Sequence, residues 1–365
     1  MSKNIQHIAV VCNYILKPDR IGGMDRFFVA YDAAAKKRGF KISWFFSDYN
    51  AFEFYNQLDI SSAKGKMNVE LYFLDHLRQN PNKYTFLVTH FTSLCSSFYK
   101  KVKDNTSIQK IVVVDHNPRP LNGFPLKKQL KNRLKGWAYQ KYIDLFIGVS
   151  NYTVDHIIKD LGSQVHKKTK CIYNGIDTSV IQFKNTIEDS IEKPIKFIVV
   201  SHLRYSKGIQ DLFEALGKLP ESELRKITIV IYGEGPMKEM LIQQMNDVNL
   251  NEFVSFKGSS SNINNLLCQY DYLLQPTHME CFSLSILESL AANVPVITTT
   301  VGGNPEIIKD GKNGYLFEAK NIQQLKSILS EIINNKKGID GETRGLIESE
   351  FNLGQMVNNH INLLN

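Results

Sequence analysis

Short apolar runs rich in β-branched and aromatic residues alternate with longer helix-competent segments along almost the whole chain. This alternation is typical of βαβ units built around parallel sheets. The pattern predicts strands in the first half at 7–12, 42–46, 85–88, 111–114, 145–149 and 170–172. The second half is predicted to hold strands at 196–201, 227–232, 254–256, 272–275 and 294–298, and helices at 207–216, 236–247, 283–292 and 321–334.

A polar, low-complexity stretch separates the two halves, beginning after Asp177 and ending at Pro194, and it is the predicted interdomain linker. The chain has 365 residues, and a single hydrophobic core rarely grows beyond about 250 to 300. We therefore expect two α/β domains, and a single small binding module is excluded.

The chain is 43% hydrophobic and 22% charged, which is typical of an ordinary globular protein. Its longest apolar runs have the length of strands, so no membrane-spanning segment is predicted. The first residues show no signal-peptide pattern, and the cytoplasm is the expected compartment. Five scattered cysteines without a C-x-x-C pair predict neither a disulfide framework nor a zinc site.

Charge is distributed unevenly along the chain. Residues 1–185 carry 28 Lys and Arg against 14 Asp and Glu, a net charge of +14, whereas residues 186–365 carry 16 against 22, a net charge of −6. The basic half favours an anionic partner. Nucleic acid, a membrane surface and a phosphorylated substrate all fit that description.

The most specific motif begins at Glu280 and ends at Glu288, with Ser283 between the two glutamates. Ser283 is typical of a helix N-cap, so the backbone amides just after it would be available to an anion at the helix N-terminus. Taken alone, the motif fits two solvated glutamates beside an amphipathic helix equally well.

The same stretch resembles the E-x7-E signature of the family 4 retaining glycosyltransferases, which have the GT-B fold. Other short motifs follow the family's order over nearly the whole chain, namely Gly22-Gly23, His116, 174–177, Lys207-Gly208, 233–236, 256–258, Pro276 and Gly302-Gly303. The resemblance implies an α/β protein of two doubly wound, parallel-sheet Rossmann-like domains that face each other across a cleft. It implies an acceptor domain at 1–183, a nucleotide-sugar donor domain at 184–350, and a terminal helix within 351–365 that packs back on the first domain.

The resemblance assigns the donor site to the second domain. Glu288 would hydrogen-bond the ribose hydroxyls of the nucleotide, and Glu280 would hold the donor sugar. The backbone of Phe282, Ser283 and Leu284 would contribute amides to the same contact.

Lys207 is expected to neutralise the diphosphate that leaves when the bond to the sugar breaks.

Three positions depart from the family's pattern. The usual arginine five places before the lysine is His202, so Arg204 is a candidate second cation by its chemistry and not by its position. Cys281 stands where a small residue often follows the first glutamate. Asn293 replaces a glycine, although asparagine also tolerates the left-handed conformation of a helix C-cap.

In the first domain, Gly22 and Gly23 follow the first predicted strand and precede a helix, so their bare backbone can approach an anion at its N-terminus. The resemblance implies contact with the phosphates or the sugar of the donor. It also places His116, at a strand end, near the donor sugar as a residue that orients the reacting groups. His90 and His278 are further candidates for the cleft.

Together these features predict a retaining, metal-independent glycosyltransferase. It would move a sugar from a UDP- or GDP-linked donor to a hydroxyl of a glycan or lipid-linked acceptor, in cell-surface polysaccharide or glycolipid synthesis. No D-x-D metal motif is present, and no metal or cofactor is expected beyond the donor as co-substrate. A sugar-nucleotide epimerase of the same fold, a noncatalytic nucleotide-sugar binder and a basic nucleic-acid-binding protein are the alternatives. The basic half lacks interleaved aromatic and basic stacking motifs, so nucleic acid is not the expected partner.

The segment 126–142 combines basic residues with apolar residues at helical spacing, and it has no acidic residue. The basic residues are Lys127, Lys128, Lys131, Arg133, Lys135 and Lys141, and the apolar ones are Leu126, Leu130, Leu134 and Trp137. One interpretation is an ordinary surface helix that packs its leucines and tryptophan into its own domain. The other is an amphipathic helix that lies on an anionic membrane, which would place the protein peripherally at the inner face of that membrane.

Overall fold

The structure is a computed structural model that describes residues 5–18, 21–185, 193–339 and 341–364. It divides into two units, the first formed by Met1–Gly175 with Leu353–Asn365 and the second by Ile176–Asn352. The domain boundaries predicted after residues 183 and 350 fall near these divisions. Residues 186–192 of the predicted linker lie outside the described part of the chain. The acceptor and donor roles of the two domains stay predictions.

In the first unit, the described residues form a seven-stranded parallel sheet in the order β3-β2-β1-β4-β5-β6-β7. The strands are β1 (His7–Leu16), β2 (Lys41–Tyr49), β3 (Ile60–Ser62), β4 (Phe86–His90), β5 (Lys110–Asp115), β6 (Leu145–Gly148) and β7 (Thr169–Cys171). The helices between them are α1 (Gly23–Lys37), α2 (Val69–Gln79), α3 (Ser97–Asn105), α4 (Leu126–Tyr139) and α5 (Asn151–Leu161).

The described part of the second unit forms a six-stranded parallel sheet in the order β10-β9-β8-β11-β12-β13. The strands are β8 (Ile195–Val200), β9 (Ile227–Tyr232), β10 (Val254–Gly258), β11 (Tyr272–Gln275), β12 (Val296–Thr299) and β13 (Gly314–Phe317). The helices are α6 (Ile209–Leu216), α7 (Glu221–Leu224), α8 (Lys238–Asp247), α9 (Ile263–Leu266), α10 (Leu284–Ala291), α11 (Asn304–Ile307), α12 (Ile322–Ile333) and α13 (Arg344–Glu350).

Both sheets are doubly wound, because the order of the strands reverses beside the first strand of each unit. The reversal lies between β1 and β4 in one sheet and between β8 and β11 in the other. Ligands of open α/β sheets bind at the carboxyl ends of the strands at such a switch point. The loops that follow these four strands are therefore where functional residues are expected.

The core of the first unit is aromatic on one side of the sheet. Helix α1 buries Phe27, Phe28 and Tyr31 at helical spacing, and Trp44 of β2 is fully buried opposite them. The ring centroids of Phe28 and Trp44 are 5.3 Å apart. Burial of this apolar area fixes α1, and with it the loop after β1, against the sheet.

Helix α14 (Leu353–Asn362) belongs to the first unit, as the resemblance implied. The guanidinium of Arg38, just after α1, donates hydrogen bonds to the side-chain oxygens of Asn358 and Asn362 at 3.0 and 2.6 Å. The sulfur of Met356 accepts the backbone N–H of Gly175 at 3.2 Å. Helix α14 is thus tied to the first unit by contacts with Arg38 and Gly175.

All strands predicted from the sequence are present, and the short edge strands β3 and β13 were not predicted. The helix predicted from residue 207 begins instead at Ile209. Gly208 takes a left-handed conformation, with φ of 71°, after a 3-10 turn at Tyr205–Lys207. Asn293 adopts φ of 61° after α10, which confirms that asparagine replaces glycine in the left-handed C-cap region.

Of the two interpretations of the segment 126–142, the one in which its leucines and tryptophan pack into their own domain is wrong. Leu126, Leu130, Leu134 and Trp137 are all exposed, and Gly136 is the one buried residue of this helix. Within the described residues, no helix is long and apolar enough to cross a membrane.

Candidate active site

Three loops of the second unit lie together at the carboxyl edge of its sheet. The loop after β8 carries Lys207, the loop after β11 carries Glu280, and the loop after β12 carries Gly302. Because β8, β11 and β12 are neighbours in the sheet, these loops leave the same edge side by side.

Two glycines allow the loops to touch through their backbones. A Cβ on Gly208 would lie 1.8 Å from the carbonyl oxygen of Pro276, and a Cβ on Gly302 would lie 2.1 Å from that of Glu280. Both glycines have left-handed φ angles, 71° and 67°, which other residues adopt at a cost. Next to Gly302, the N–H of Gly303 donates to the carbonyl of Cys281 at 3.0 Å. The loop that carries Glu280 is therefore held from both sides.

Lys207 and Glu280, both predicted site residues, form an ion pair. The Lys207 Nζ lies 2.9 Å from the Glu280 Oε2, and the two side chains are 24% and 14% exposed. The other carboxylate oxygen of Glu280 accepts the N–H of Cys281 at 3.2 Å. The pair places one cation and one hydrogen-bond acceptor at the sheet edge, next to each other and in partial contact with solvent.

Arg204 lies outside this pair. Its carbonyl accepts the N–H of Lys207 at 2.9 Å, but its side chain is exposed and has no hydrogen bond or ion pair within the described residues. Its guanidinium is free to meet an incoming anion. Its role as a second cation stays a prediction.

His278 fastens the loop that leads to Glu280. Its Nε2 lies 2.6 Å from the Oδ2 of Asp211 on α6, and its backbone N–H donates to the carbonyl of Ser206 at 2.8 Å. The imidazole therefore joins this loop to helix α6, and the backbone of His278 joins it to the loop after β8. The sequence predicted His278 as a candidate residue of the cleft, but no sequence pattern identified Asp211 as its partner.

Ser283 caps helix α10 as predicted. Its hydroxyl accepts the N–H of Ile286 at 3.4 Å and is held by a 2.7 Å hydrogen bond from the side chain of Gln275. Leu284 is the first residue of the helix. The ring of Phe282 is buried against Phe351, with centroids 5.4 Å apart, so Phe282 offers its backbone and not its side chain.

Glu288 lies on α10, five residues after the cap, which is a little over one helical turn. Its side chain is half-buried. Cys281, the departure from the family pattern, is buried. The second unit thus gathers Lys207, Glu280 and the N-terminus of α10 at one sheet edge, with Glu288 on the same helix.

His116 lies at the matching edge of the first unit, just after β5. Its Nε2 is 3.0 Å from the Nδ1 of His90, and its ring stacks on Phe91 with centroids 4.3 Å apart. Burial, with the neighbouring His360 of α14, lowers the pKa of His116 to about 3. Burial alone lowers the pKa of His360 to about 4, and burial together with both other histidines lowers the pKa of His90. His116 is therefore neutral near pH 7 and acts as a hydrogen-bonding group.

A buried ionic cluster fixes the loop that carries His116. The guanidinium of Arg119 lies 2.8 Å from a carboxylate oxygen of Asp115 and 2.8 Å from one of Asp160 on α5. All three residues are buried. The sequence analysis missed this cluster, because nothing in the sequence shows that Asp160 lies beside Arg119.

The two glycines predicted to precede helix α1 lie at its N-terminus, with Gly22 as the N-cap and Gly23 as the first helical residue, but the N–H of Gly22 is already occupied. The N–H of Gly22 donates to the Oδ2 of Asp25 at 2.9 Å, and the hydroxyls of Tyr14 and Tyr55 donate to the same carboxylate. Burial raises the pKa of Asp25 despite these hydrogen bonds. Asp25 was missed by the sequence analysis, and donor contact by the two glycines stays a prediction.

A polar pocket opens at the carboxyl edge of the first sheet. It is lined by the ends of β1, β4 and β5 and the start of α2, namely Asn13, Asn68, Val69, Glu70, Phe91, Thr92, Ser93 and Asn117. Glu70 accepts the N–H of Ser93 at 3.0 Å, and burial raises the pKa of its carboxyl group. The pocket lies next to His116, since Phe91 lines it and stacks on that histidine.

No group of three or more His, Cys, Asp or Glu side chains that could hold a metal ion occurs in the described part of the chain. Metal independence stays a prediction.

Two family models match consecutive parts of the chain. The model described as "Glycosyltransferase Family 4" matches residues 21–180, and the model described as "Glycosyl transferases group 1" matches residues 181–344. Together they cover most of the chain. The chain belongs to the family 4, group 1 glycosyltransferases. This membership confirms the resemblance drawn from the E-x7-E motif.

Curated relatives of this family 4 chain match over part of their length. N-acetyl-alpha-D-glucosaminyl L-malate synthase of Bacillus anthracis is 33% identical over 42% of this chain and 41% of its own length. Poly(glycerol-phosphate) alpha-glucosyltransferase of Bacillus subtilis is 21% identical over 62% of this chain and 36% of its own length. The first relatives are thus matched over about half of their length.

Solved structures match over nearly the whole chain. Anabaena HepE in complex with UDP and glucose has a TM-score of 0.75 at 18% identity, with 99% of both chains covered. WaaG, described as a glycosyltransferase of lipopolysaccharide biosynthesis, has a TM-score of 0.72 at 16% identity, with 98% of this chain and 99% of WaaG covered. These similarities confirm that the family 4 chain has the GT-B fold.

Replacement of Gly302 by Ala should destabilise the second unit. A methyl group there would overlap the Glu280 carbonyl and would also strain a left-handed φ, at a combined cost of about 3 kcal/mol or more. Gly311→Ala is the matched control, since Gly311 has a φ of 73° but no atom within 4 Å of a Cβ. Urea unfolding should show a much larger loss of stability for Gly302→Ala. Equal losses would contradict the proposed close contact.

Acidification should unfold the first unit through its buried histidines. Folding keeps His116 and His360 neutral, whereas the unfolded chain takes up their protons below pH 6.5, so stability falls as pH drops from about 6.5 toward 4. Each of these two histidines should lower the free energy of unfolding at pH 5 by about 2 kcal/mol relative to pH 7. Urea unfolding of His360→Phe should show a pH 7 to pH 5 loss that is smaller by about this amount. An unchanged loss in the variant would refute the assignment.

Proposed function

We propose that this chain is a retaining glycosyltransferase that moves a sugar from a nucleoside diphosphate sugar to an acceptor hydroxyl in cell-surface polysaccharide or glycolipid synthesis. The observation that carries the proposal is the Lys207–Glu280 ion pair at the sheet edge, close to the N-terminus of α10. A cation, a carboxylate and a helix N-terminus in one place suit a ligand that joins a diphosphate to a sugar.

The ion pair would supply one contact to the diphosphate of the donor and one to its sugar. On binding, the diphosphate would draw the Lys207 ammonium away from Glu280, and the released carboxylate would accept hydrogen bonds from sugar hydroxyls. The amides at the start of α10 would add to the same contact. Glu288 would accept hydrogen bonds from the ribose. Arg204, which is exposed and close in sequence, would add a second positive charge to the phosphates.

In the reaction, the bond between the anomeric carbon and the diphosphate oxygen breaks, and its electron pair leaves with the diphosphate. The acceptor oxygen bonds to the same face of that carbon, and its proton passes to a phosphate oxygen of the leaving group. Lys207 stabilises the charge that develops on the diphosphate, which makes a metal ion unnecessary. His116, held neutral, would donate or accept a hydrogen bond beside the donor sugar.

Uridine is the proposed base of the donor. HepE, whose structure has this fold, is described in complexes with UDP and with UDP-glucose. Several curated relatives transfer glucose or N-acetylglucosamine units according to their names. A UDP-linked hexose or N-acetylhexosamine is therefore the first donor to test.

The acceptor is proposed to bind in the polar pocket of the first unit. The side chains of Asn13, Asn68 and Asn117 offer amide donors and acceptors, Glu70 offers a carboxyl group, and Phe91 offers a ring face. This mixture suits the hydroxyls and the apolar faces of a sugar. The proposed acceptor is a glycan or a lipid-linked sugar.

Single replacements of Glu288 and Lys207 should separate nucleotide binding from catalytic turnover. Glu288→Ala should weaken UDP binding about tenfold or more, through loss of hydrogen bonds to a charged group. Lys207→Ala should lower kcat about 100-fold, through loss of charge stabilisation on the leaving diphosphate. Calorimetry with UDP and release of UDP from UDP-sugars measure the two effects.

Lys218→Ala is the control, because Lys218 pairs with Glu214 on the exposed side of the same unit, at 2.6 Å. This variant should match the unchanged protein in both assays. Failure of UDP, GDP and ADP species alike to bind the unchanged protein would overturn the proposal. Nucleotide binding without any UDP release would support the noncatalytic binder instead, and release of a free sugar epimer would support the epimerase.

Glu70→Gln should weaken binding of the acceptor and leave binding of the donor unchanged. Hydrolysis of the UDP-sugar by water should continue, whereas transfer to a panel of aryl glycosides should show a KM raised about tenfold. UDP affinity should not change. A rise in the KM of the donor, with the KM of the acceptor unaltered, would contradict the acceptor pocket.

A further inference from the structure

Helix α4 presents its apolar side to solvent. Leu126, Leu130, Leu134 and Trp137 are 81%, 63%, 59% and 79% exposed. An ordinary surface helix turns such a stripe toward the core and its polar side toward water. Here the arrangement is reversed, and among the described residues nothing covers the stripe.

The helix is fixed to its unit by the opposite side. Gly136 is the buried residue, and a Cβ at this position would lie 2.1 Å from the carbonyl oxygen of Leu161, at the end of α5. At about 100° per residue, the four apolar side chains fall within an arc of about 80°, and Gly136 lies well outside it. The glycine therefore lets α4 pack through its backbone while the apolar stripe stays outward.

Positive charge borders the stripe on both sides. On the same helical projection, Arg133 lies next to one margin, and Lys127 and Lys131 lie next to the other. Between Asp115 and Asp144 the chain has seven basic residues and no acidic one. The surface is thus apolar along its centre and cationic along its edges.

We propose that α4 binds the surface of an anionic bilayer, with the leucines and Trp137 inserted at the level of the acyl chains and the flanking cations on lipid phosphates. The proposal goes beyond the transferase activity and does not depend on it. It gives the first unit a fixed face toward a membrane. It also provides a physical reason for the +14 charge of the first half of the chain.

Charge and polarity together select lipid over other occupants. A nucleic acid would satisfy the cations but leave the apolar stripe in water. A second copy of this chain would cover the stripe but bring two sets of cations together without an acidic partner. An anionic bilayer offers an apolar layer beneath a negatively charged surface, in the order that α4 presents.

Vesicle binding tests the proposal with the full chain. Vesicles with about 30% phosphatidylglycerol in phosphatidylcholine should bind the protein at least about tenfold more tightly than pure phosphatidylcholine, and salt should weaken the binding. The chain has two tryptophans, and Trp44 is fully buried. A blue shift of the emission on binding, with quenching by brominated acyl chains, should therefore report insertion of Trp137.

Two variants separate the apolar and ionic parts of the surface. Leu130→Ser with Trp137→Ser should abolish binding, because the stripe is removed while the cations remain. Lys127→Gln with Lys131→Gln and Arg133→Gln should reduce binding to the level seen with neutral vesicles. Both should keep the UDP-sugar hydrolysis of the unchanged protein, since no residue of the candidate active site is altered.

Leu71→Ser with Met240→Ser is the matched control, since both side chains are about as exposed as Leu130 but lie outside α4. This variant should bind vesicles normally. The proposal is overturned by absence of vesicle binding, by equal binding of all variants, or by an unshifted tryptophan spectrum. It is also overturned if duplex DNA binds the protein more tightly than the anionic vesicles do. Loss of UDP binding would count only against the proposed function.

Discussion

Backbone contact at Gly208 and Gly302 is the constraint on which the candidate active site depends. Each glycine brings one loop within van der Waals reach of the segment from Pro276 to Glu280, which any side chain would prevent. Lys207, one residue before the first glycine, then reaches the carboxylate of Glu280. The geometry of the candidate site in this unit is thus set by the main chain, which fixes where the side chains of Lys207 and Glu280 lie.

The Lys207–Glu280 pair balances its two charges, and in the proposed donor complex a ligand would replace each partner. A lone lysine at this edge would attract any anion, and a lone glutamate would repel the phosphates that the site is proposed to bind. Under the proposed function, the ion pair would favour ligands that supply an anion and hydrogen-bond donors together. A sugar joined to a diphosphate has both, whereas free phosphate has one.

Local sequence predicted much of the fold and part of the site. The strands follow from short apolar runs, the cap at Ser283 from its residue type, and the left-handed turn at Asn293 from the tolerance of asparagine. Partners distant in sequence could not be predicted, because no local pattern connects His278 with Asp211 or Arg119 with Asp160. For α4 the sequence left two interpretations open, since periodicity shows that a helix has an apolar side but not whether that side faces the core or solvent.

Helix α14 makes the first unit discontinuous along the chain, with the entire second unit inserted before its final helix. The ring of His360 lies 5.2 Å from that of Phe27, so residues separated by most of the polypeptide share one core. During synthesis, the second unit is complete before the first can close. The aromatic core of the first unit is therefore completed only after α14 has been synthesised, and a chain that lacks α14 leaves part of that core exposed to solvent.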